Sequence, residues 1–140
     1  MKTFTVFAVV AGMTVLSAQT NPEVKIKKVP TVATSPNSGV AMFKEYCAVC
    51  HGLDGKGQGP AAPALTVPPA DLTMLTPSNG GKFPAIKVSQ IIQGSDVIKA
   101  HGSSEMPVWG PIFRVMDKGN TAVTQLRIAN LTHYIQSIQK

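Results

Sequence analysis

Cys47-Ala48-Val49-Cys50-His51 is the segment from which the rest of this 140-residue sequence is best interpreted. Two thiols three positions apart can reach the two vinyl groups at one edge of a porphyrin, and the next histidine can ligate the iron. The C-x-x-C-H pattern is therefore typical of covalent haem attachment. It predicts thioether bonds at Cys47 and Cys50 and a proximal iron ligand at His51.

Other sites built on two cysteines fit this sequence less well. A thioredoxin-like C-x-x-C begins a helix in a βαβ unit, whereas the pattern here places Cys47 at a helix end. A structural zinc site needs four ligands, and the chain offers two cysteines and three scattered histidines. A disulfide is poorly suited to so tight a loop. These alternatives remain open but are weaker than covalent haem attachment.

A haem that transfers electrons has a second axial ligand, from a methionine or another histidine. Met106 is the preferred candidate, because it lies in a loop between helical patterns and Pro107 can stiffen the backbone that presents its sulfur. Met74 also lies in a loop and is the alternative. The other candidates are two methionines expected to fill core gaps, a histidine near Met106 and a histidine in the last helix: Met42, Met116, His101 and His133.

Hydrophobic spacing predicts three helices and no strands. Ser38 can cap a first helix that leads to Cys47, a second begins near Val88 and ends at Gly94, and a third begins at about Thr124. Between the first two, glycines and prolines crowd residues 52–69, which predicts a loop. The expected fold is a small all-α domain with long Gly/Pro-rich loops, whose thin core is completed by a buried cofactor.

The N-terminal segment indicates export. Lys2 precedes an apolar run over residues 4–16 that is too short to span a bilayer, and small residues follow it. Residues 1–18 are therefore predicted to be a Sec-type signal peptide, which would act as a membrane tether if it stayed uncleaved. Residues 19–37 are predicted to be a flexible tether containing lysine and proline, and residues 38–140 the folded domain.

Charge limits the possible partners. The formal net charge is +6 and the isoelectric point is about 9.6, which favours acidic partner surfaces. The body has no basic run interleaved with aromatic residues, so nucleic-acid binding is not expected.

With these residues in place, the chain resembles the class I (monohaem) c-type cytochromes of bacteria from about Gly39 to its end. In that family a glycine and an aromatic residue precede the first haem cysteine by eight and four positions, which here are Gly39 and Phe43. They meet an apolar residue and an aromatic on the last helix, here Leu131 and Tyr134. The resemblance implies a cytochrome c-like domain wrapped around one covalently attached haem c.

The resemblance also implies details of the site. In the family a proline carbonyl in the loop after the haem histidine accepts the imidazole N–H, and here Pro60 or Pro63 would supply it. Met106-Pro107 is similar to the distal ligand pair of the family, and Trp109 would pack near the haem or in the core. Residues 52–60 are similar to bacterial members that include subunits of dehydrogenases and oxidases.

These features predict a periplasmic electron carrier, monomeric and without enzymatic activity, that docks on donor and acceptor redox proteins. The alternative is a haem c subunit of a larger respiratory or dehydrogenase complex. A gas-binding or peroxide-binding haem protein is a third hypothesis, and it requires that Met106 does not ligate the iron.

Overall fold

A computed structural model of the chain describes residues 32–95 and 106–140. The chain divides into two units, residues 1–30 and 31–140, and every described residue belongs to the second. The expected signal peptide, the first part of the expected tether and His101 therefore lie outside the described residues. Within the described ranges, no helix is long and apolar enough to cross a membrane.

The described residues form helices joined by loops, without any strand in these ranges, which confirms the all-α prediction. In chain order the helical elements are α1 Gly39–Met42, a π-helical turn Phe43–Cys47, α2 Ala48–His51, α3 Ala85–Gln93, α4 Trp109–Met116 and α5 Thr121–Ser137. Three short 3₁₀ helices lie in the loops at Ala62–Ala64, Leu72–Met74 and Pro77–Asn79.

The helix ends follow the capping residues. The Ser38 hydroxyl accepts a hydrogen bond from the Ala41 N–H at 3.1 Å, as predicted, and α3 stops at Gly94, whose φ is 79°. Helix α5 begins earlier than the apolar pattern indicated, because the side chain of Asn120 accepts a hydrogen bond from the N–H of Val123.

The first helical segment, residues 39–51, crosses α5 at a point where the two backbones are in close contact. A Cβ atom on Gly39 would overlap the carbonyl oxygen of Asn130 and lie 2.8 Å from the Cβ of Tyr134. Next to this contact, the rings of Phe43 and Tyr134 are 5.1 Å apart between centroids, and Leu131 is fully buried. The predicted crossing of the terminal helices is therefore confirmed, and only glycine fits at position 39.

Residues 32–37 differ from the flexible tether that the sequence predicted, because three of their carbonyls accept hydrogen bonds from residues of the helical domain that follows them. The Tyr46 hydroxyl donates to the carbonyl of Val32 at 2.7 Å. The carbonyl of Thr34 accepts a hydrogen bond from the side chain of Arg127 at 2.8 Å, and the carbonyl of Pro36 accepts one from the side chain of Asn130 at 3.0 Å. Both donors lie on α5. The described part of the expected tether is thus fixed to the body, although its composition is polar.

The Gly/Pro-rich loop turns back over the end of α2. The N–H groups of Gly57, Gly59 and Ala61 donate to three successive carbonyls in reverse order, those of His51, Cys50 and Val49, at 2.8 to 2.9 Å. These bonds satisfy carbonyls that a helix end leaves without intrahelical partners. They attach the loop to the helical end that carries Cys50 and His51.

Candidate functional site

A cavity of about 260 Å³ lies against the end of the first helical segment. Its walls also include the loop over residues 70–79, helix α3, the start of α4 and one residue near the end of α5. Most of the lining is apolar and comes from Leu72, Leu75, Val88, Ile91, Ile92 and Ile135. Such a cavity suits a flat apolar cofactor.

The two cysteines occupy different positions relative to this cavity. Cys47 is buried and lines it, whereas Cys50 is half-buried and is not among the lining residues. The thiols are not joined by a disulfide. Burial, with a smaller contribution from Cys50, raises the pKa of the Cys47 thiol to about 12, so an unmodified Cys47 is neutral.

The imidazole of His51 lines the cavity and is oriented by a main-chain carbonyl. Its Nδ1 lies 3.0 Å from the carbonyl oxygen of Ala70. Because a carbonyl only accepts hydrogen bonds, this contact places the proton on Nδ1 and makes Nε2 the basic nitrogen. A histidine that ligates a metal is usually oriented by a second-shell acceptor of this kind.

The acceptor itself corrects the sequence-based expectation. The family resemblance had implied a carbonyl at Pro60 or Pro63, and the structure instead brings Ala70 to Nδ1. Ala70 is 19 residues away from His51 in the sequence and directly follows Pro68-Pro69. Any residue type carries a carbonyl, so the sequence contained no side-chain signal for this contact.

Among the methionines, Met106 is the one that lines the cavity within the described residues. Met74, the alternative candidate, lies in the 3₁₀ helix Leu72–Met74, is 37% exposed and does not line the cavity. The other two are placed as expected: Met42 is fully buried in the core and Met116 packs against it. His133 is exposed on α5.

Trp109 combines the two roles that were considered for it. It lines the cavity at the start of α4 and also belongs to the buried core. Its ring centroid lies 5.5 Å from that of Phe113 and 5.0 Å from that of Tyr46. Aromatic contacts of this kind add stabilisation beyond the burial of apolar area, so one wall of the cavity is well supported.

The loop that supplies the Ala70 carbonyl has internal supports of its own. The Asp71 carboxylate accepts hydrogen bonds from the hydroxyl and the N–H of Thr73 at 2.6 and 2.9 Å. The hydroxyl bond is the main reason why the pKa of Asp71 is lowered from its usual value. The next N–H, that of Leu72, donates to the carbonyl of Gly55 at 2.7 Å.

Three polar residues line the cavity in addition to Cys47 and His51. They are Ser78 and Asn79, from the loop, and Lys87 on α3. Among the described residues, Lys87 is the one member of the lining that is a lysine, arginine, aspartate or glutamate. None of the three was predicted from the sequence.

The residues of the cavity fit a haem group. Two cysteines have the spacing required for thioether bonds, an oriented imidazole and a thioether sulfur line one cavity, and the remaining lining is mainly apolar. The comparison with protein families agrees with this assignment: the cytochrome c family model matches residues 37–139. Neither the search of curated proteins nor that of solved structures returned a match. The chain therefore belongs to the cytochrome c family, as a haem-based electron-transfer protein with covalently bound haem c.

Proposed function

We propose that this chain is an exported single-electron carrier, with haem c attached through Cys47 and Cys50 and its iron ligated by His51 and Met106. The observation that supports the axial ligands best is that His51 and Met106 line one cavity while Met74 does not. The C-x-x-C-H spacing supports the attachment. Bound haem supplies a ferric/ferrous couple, and no acid, base or nucleophile is needed.

Each of these side chains has a defined task in the proposal. The imidazole of His51 donates electron density through Nε2, while its bond to the Ala70 carbonyl fixes the ring. The thioether sulfur of Met106 favours the reduced state and so raises the reduction potential. The aliphatic lining and Trp109 exclude water, which acts in the same direction.

The proposal includes export to the periplasm by means of residues 1–18. If that segment stays uncleaved, the carrier is tethered to the membrane, and if the chain binds a large oxidoreductase, it is a subunit of that complex. Mass spectrometry of the purified protein gives the N-terminus, and size-exclusion chromatography separates a monomer from a complex. A monomer that begins after residue 18 is the expected result.

Substitution of the distal ligand tests the carrier function. Met106→Ala should abolish the weak far-red charge-transfer band that ferric haem shows when methionine ligates it, and should open the iron to carbon monoxide. Met74→Ala is the matched control and should leave both properties unchanged. Persistence of the band in Met106→Ala would refute the assignment, as would ready binding of carbon monoxide by the unaltered ferrous protein.

The attachment is tested separately. Extraction with acidified acetone should leave the haem on the unaltered protein, because thioether bonds survive this treatment. In Cys47→Ala or Cys50→Ala one of the two bonds is missing, and the absorption maximum of the reduced haem should shift to a longer wavelength. Complete release of haem from the unaltered protein would contradict covalent attachment.

A further inference from the structure

The side chain of Gln139, just beyond the end of α5, has three hydrogen-bond contacts, two of them with a distant loop. Its Nε2 donates to the carbonyl of Leu72 at 2.6 Å and to the carbonyl of Ile135 at 2.8 Å. Its Oε1 accepts from the N–H of Thr76 at 2.8 Å. One amide thus joins the end of α5 to both ends of the segment 72–76, which is 63 to 67 residues away in the sequence.

The segment that Gln139 holds belongs to the cavity. Leu72 and Leu75 line it, and so does Ile135, the residue of α5 that shares the same amide. Lys140, which follows Gln139, adds a further link, because its main-chain N–H donates to the carbonyl of Thr73 at 3.1 Å. The chain end therefore fixes one wall of the cavity through polar bonds.

The same segment adjoins the carbonyl that orients the haem histidine. Ala70 lies two residues before Leu72, and Leu72 is held from two sides, at its N–H by Gly55 and at its carbonyl by Gln139. Asp71, between them, is itself bonded to Thr73. The position of the Ala70 carbonyl relative to His51 thus depends on where Leu72 is held.

We infer that Gln139 is a positioning residue for the proximal iron ligand: by holding Leu72 and Thr76, it keeps the Ala70 carbonyl on Nδ1 of His51. This inference rests on the proposed function, because it requires His51 to ligate the iron. A strong bond to Nδ1 makes the imidazole a better electron donor, which favours ferric iron. Loosening the segment weakens that bond and shifts the reduction potential upward.

Gln139→Met tests the inference in the haem-loaded protein. Methionine is as long as glutamine and equally uncharged, but it cannot form the three amide bonds. The control is Gln136→Met, the same change on an exposed glutamine three positions earlier. Because neither substitution alters the net charge, a shift in potential cannot come from a new or lost charge.

Two measurements are made on each variant. Amide hydrogen exchange at Thr76 should become about tenfold faster in Gln139→Met, as expected for the loss of one hydrogen bond. The reduction potential should rise in the same variant, and both quantities should stay unchanged in Gln136→Met. Gln139→Asn, whose shorter amide reaches the loop less well, should fall between the unaltered protein and Gln139→Met.

Failure of the inference can be distinguished from failure of the proposed function. If the unaltered protein lacks histidine-ligated haem, the proposed function fails, which its own spectrum shows before any variant is made. If the unaltered protein is ligated as proposed, an unchanged potential in Gln139→Met overturns the inference, even when exchange at Thr76 accelerates. Unchanged exchange at Thr76 would show that the amide does not hold the segment, which overturns it as well.

Discussion

The two ends of α5 hold two irregular segments in a similar way, through side chains that bond to main-chain groups. Near its beginning, Arg127 donates to the carbonyl of Thr34 and thereby holds residues 32–37. Just beyond its end, Gln139 donates to the carbonyl of Leu72 and holds the loop that lines the cavity. The first group is charged and needs a counterion, whereas the second is a neutral amide.

The counterion of Arg127 is Asp117. Their closest atoms are 2.8 Å apart, and the two side chains are only 4% and 3% exposed. The guanidinium also lies over the ring of Phe113, 5.6 Å from its centroid, and the Thr124 hydroxyl donates to the carboxylate at 3.1 Å. None of these residues lines the cavity. The beginning of α5 should therefore govern stability, and its end should govern the environment of the haem.

Asp117→Asn should have the largest effect on folding. It leaves the Arg127 charge buried without its counterion, and removal of one partner of a buried ion pair costs about 3–5 kcal/mol. Urea unfolding of the haem-loaded protein measures this loss in the free energy of unfolding. The reduction potential of the folded fraction should stay nearly unchanged, since the pair lies outside the cavity lining.

Asp54→Asn is the matched control, because Asp54 pairs with Lys56 at 3.2 Å but their side chains are 55% and 47% exposed. Water screens such a pair, so its loss should scarcely change the unfolding curve. Equal destabilisation by the two substitutions would contradict the role assigned to burial. A large change in potential in Asp117→Asn would show that the two ends of α5 are not functionally separate.

Gly39→Ala should have the next largest effect, and it acts between the two ends of α5. The new methyl group would overlap the carbonyl oxygen of Asn130, a main-chain atom that cannot move without shifting the helix. Overpacking of this kind costs about 1–3 kcal/mol. Thermal unfolding should show a lower midpoint temperature.

Gly80→Ala provides the contrast to Gly39→Ala. Gly80 has a φ of 63°, but no atom lies within 4 Å of a Cβ atom built there. Its substitution should cost only the backbone strain of a left-handed alanine, about 1 kcal/mol. If Gly39→Ala proved the milder change, the close approach of the helices at position 39 would not be needed for stability.

The sequence contained enough information to predict most of the helical part of the molecule, but not helix α4. Helix starts and stops follow from local residues such as Ser38 and Gly94, and the spacing of Gly39 and Phe43 before Cys47 indicated where α5 would cross. Helix α4, which has Gly110 and Pro111 in its first turn, was not predicted from the sequence. A proline in the first turn is compatible with a helix, since its missing N–H has no intrahelical acceptor there.

The bonds that position the loops were not predictable in the same way. The carbonyls of Val32, Thr34, Pro36, Ala70 and Leu72 accept hydrogen bonds from side chains between 14 and 94 residues away. Composition marked their segments as polar or rich in proline, which favours a loop. Which donor reaches each carbonyl depends on the folded arrangement, so the contacts of Gln139 and Ala70 could be identified only from the structure.

Lys87→Gln should have the smallest effect, and it tests whether a charged residue of the cavity lining influences the haem. Lys87 lines the cavity but is exposed, so its positive charge favours the reduced haem only through water. Its removal should lower the reduction potential slightly, and the difference should shrink as ionic strength rises. Lys44→Gln removes an equal charge outside the lining and should lower the potential less. Equal shifts in both variants would mean that the net charge of the protein, rather than a charge at the cavity, sets this part of the potential.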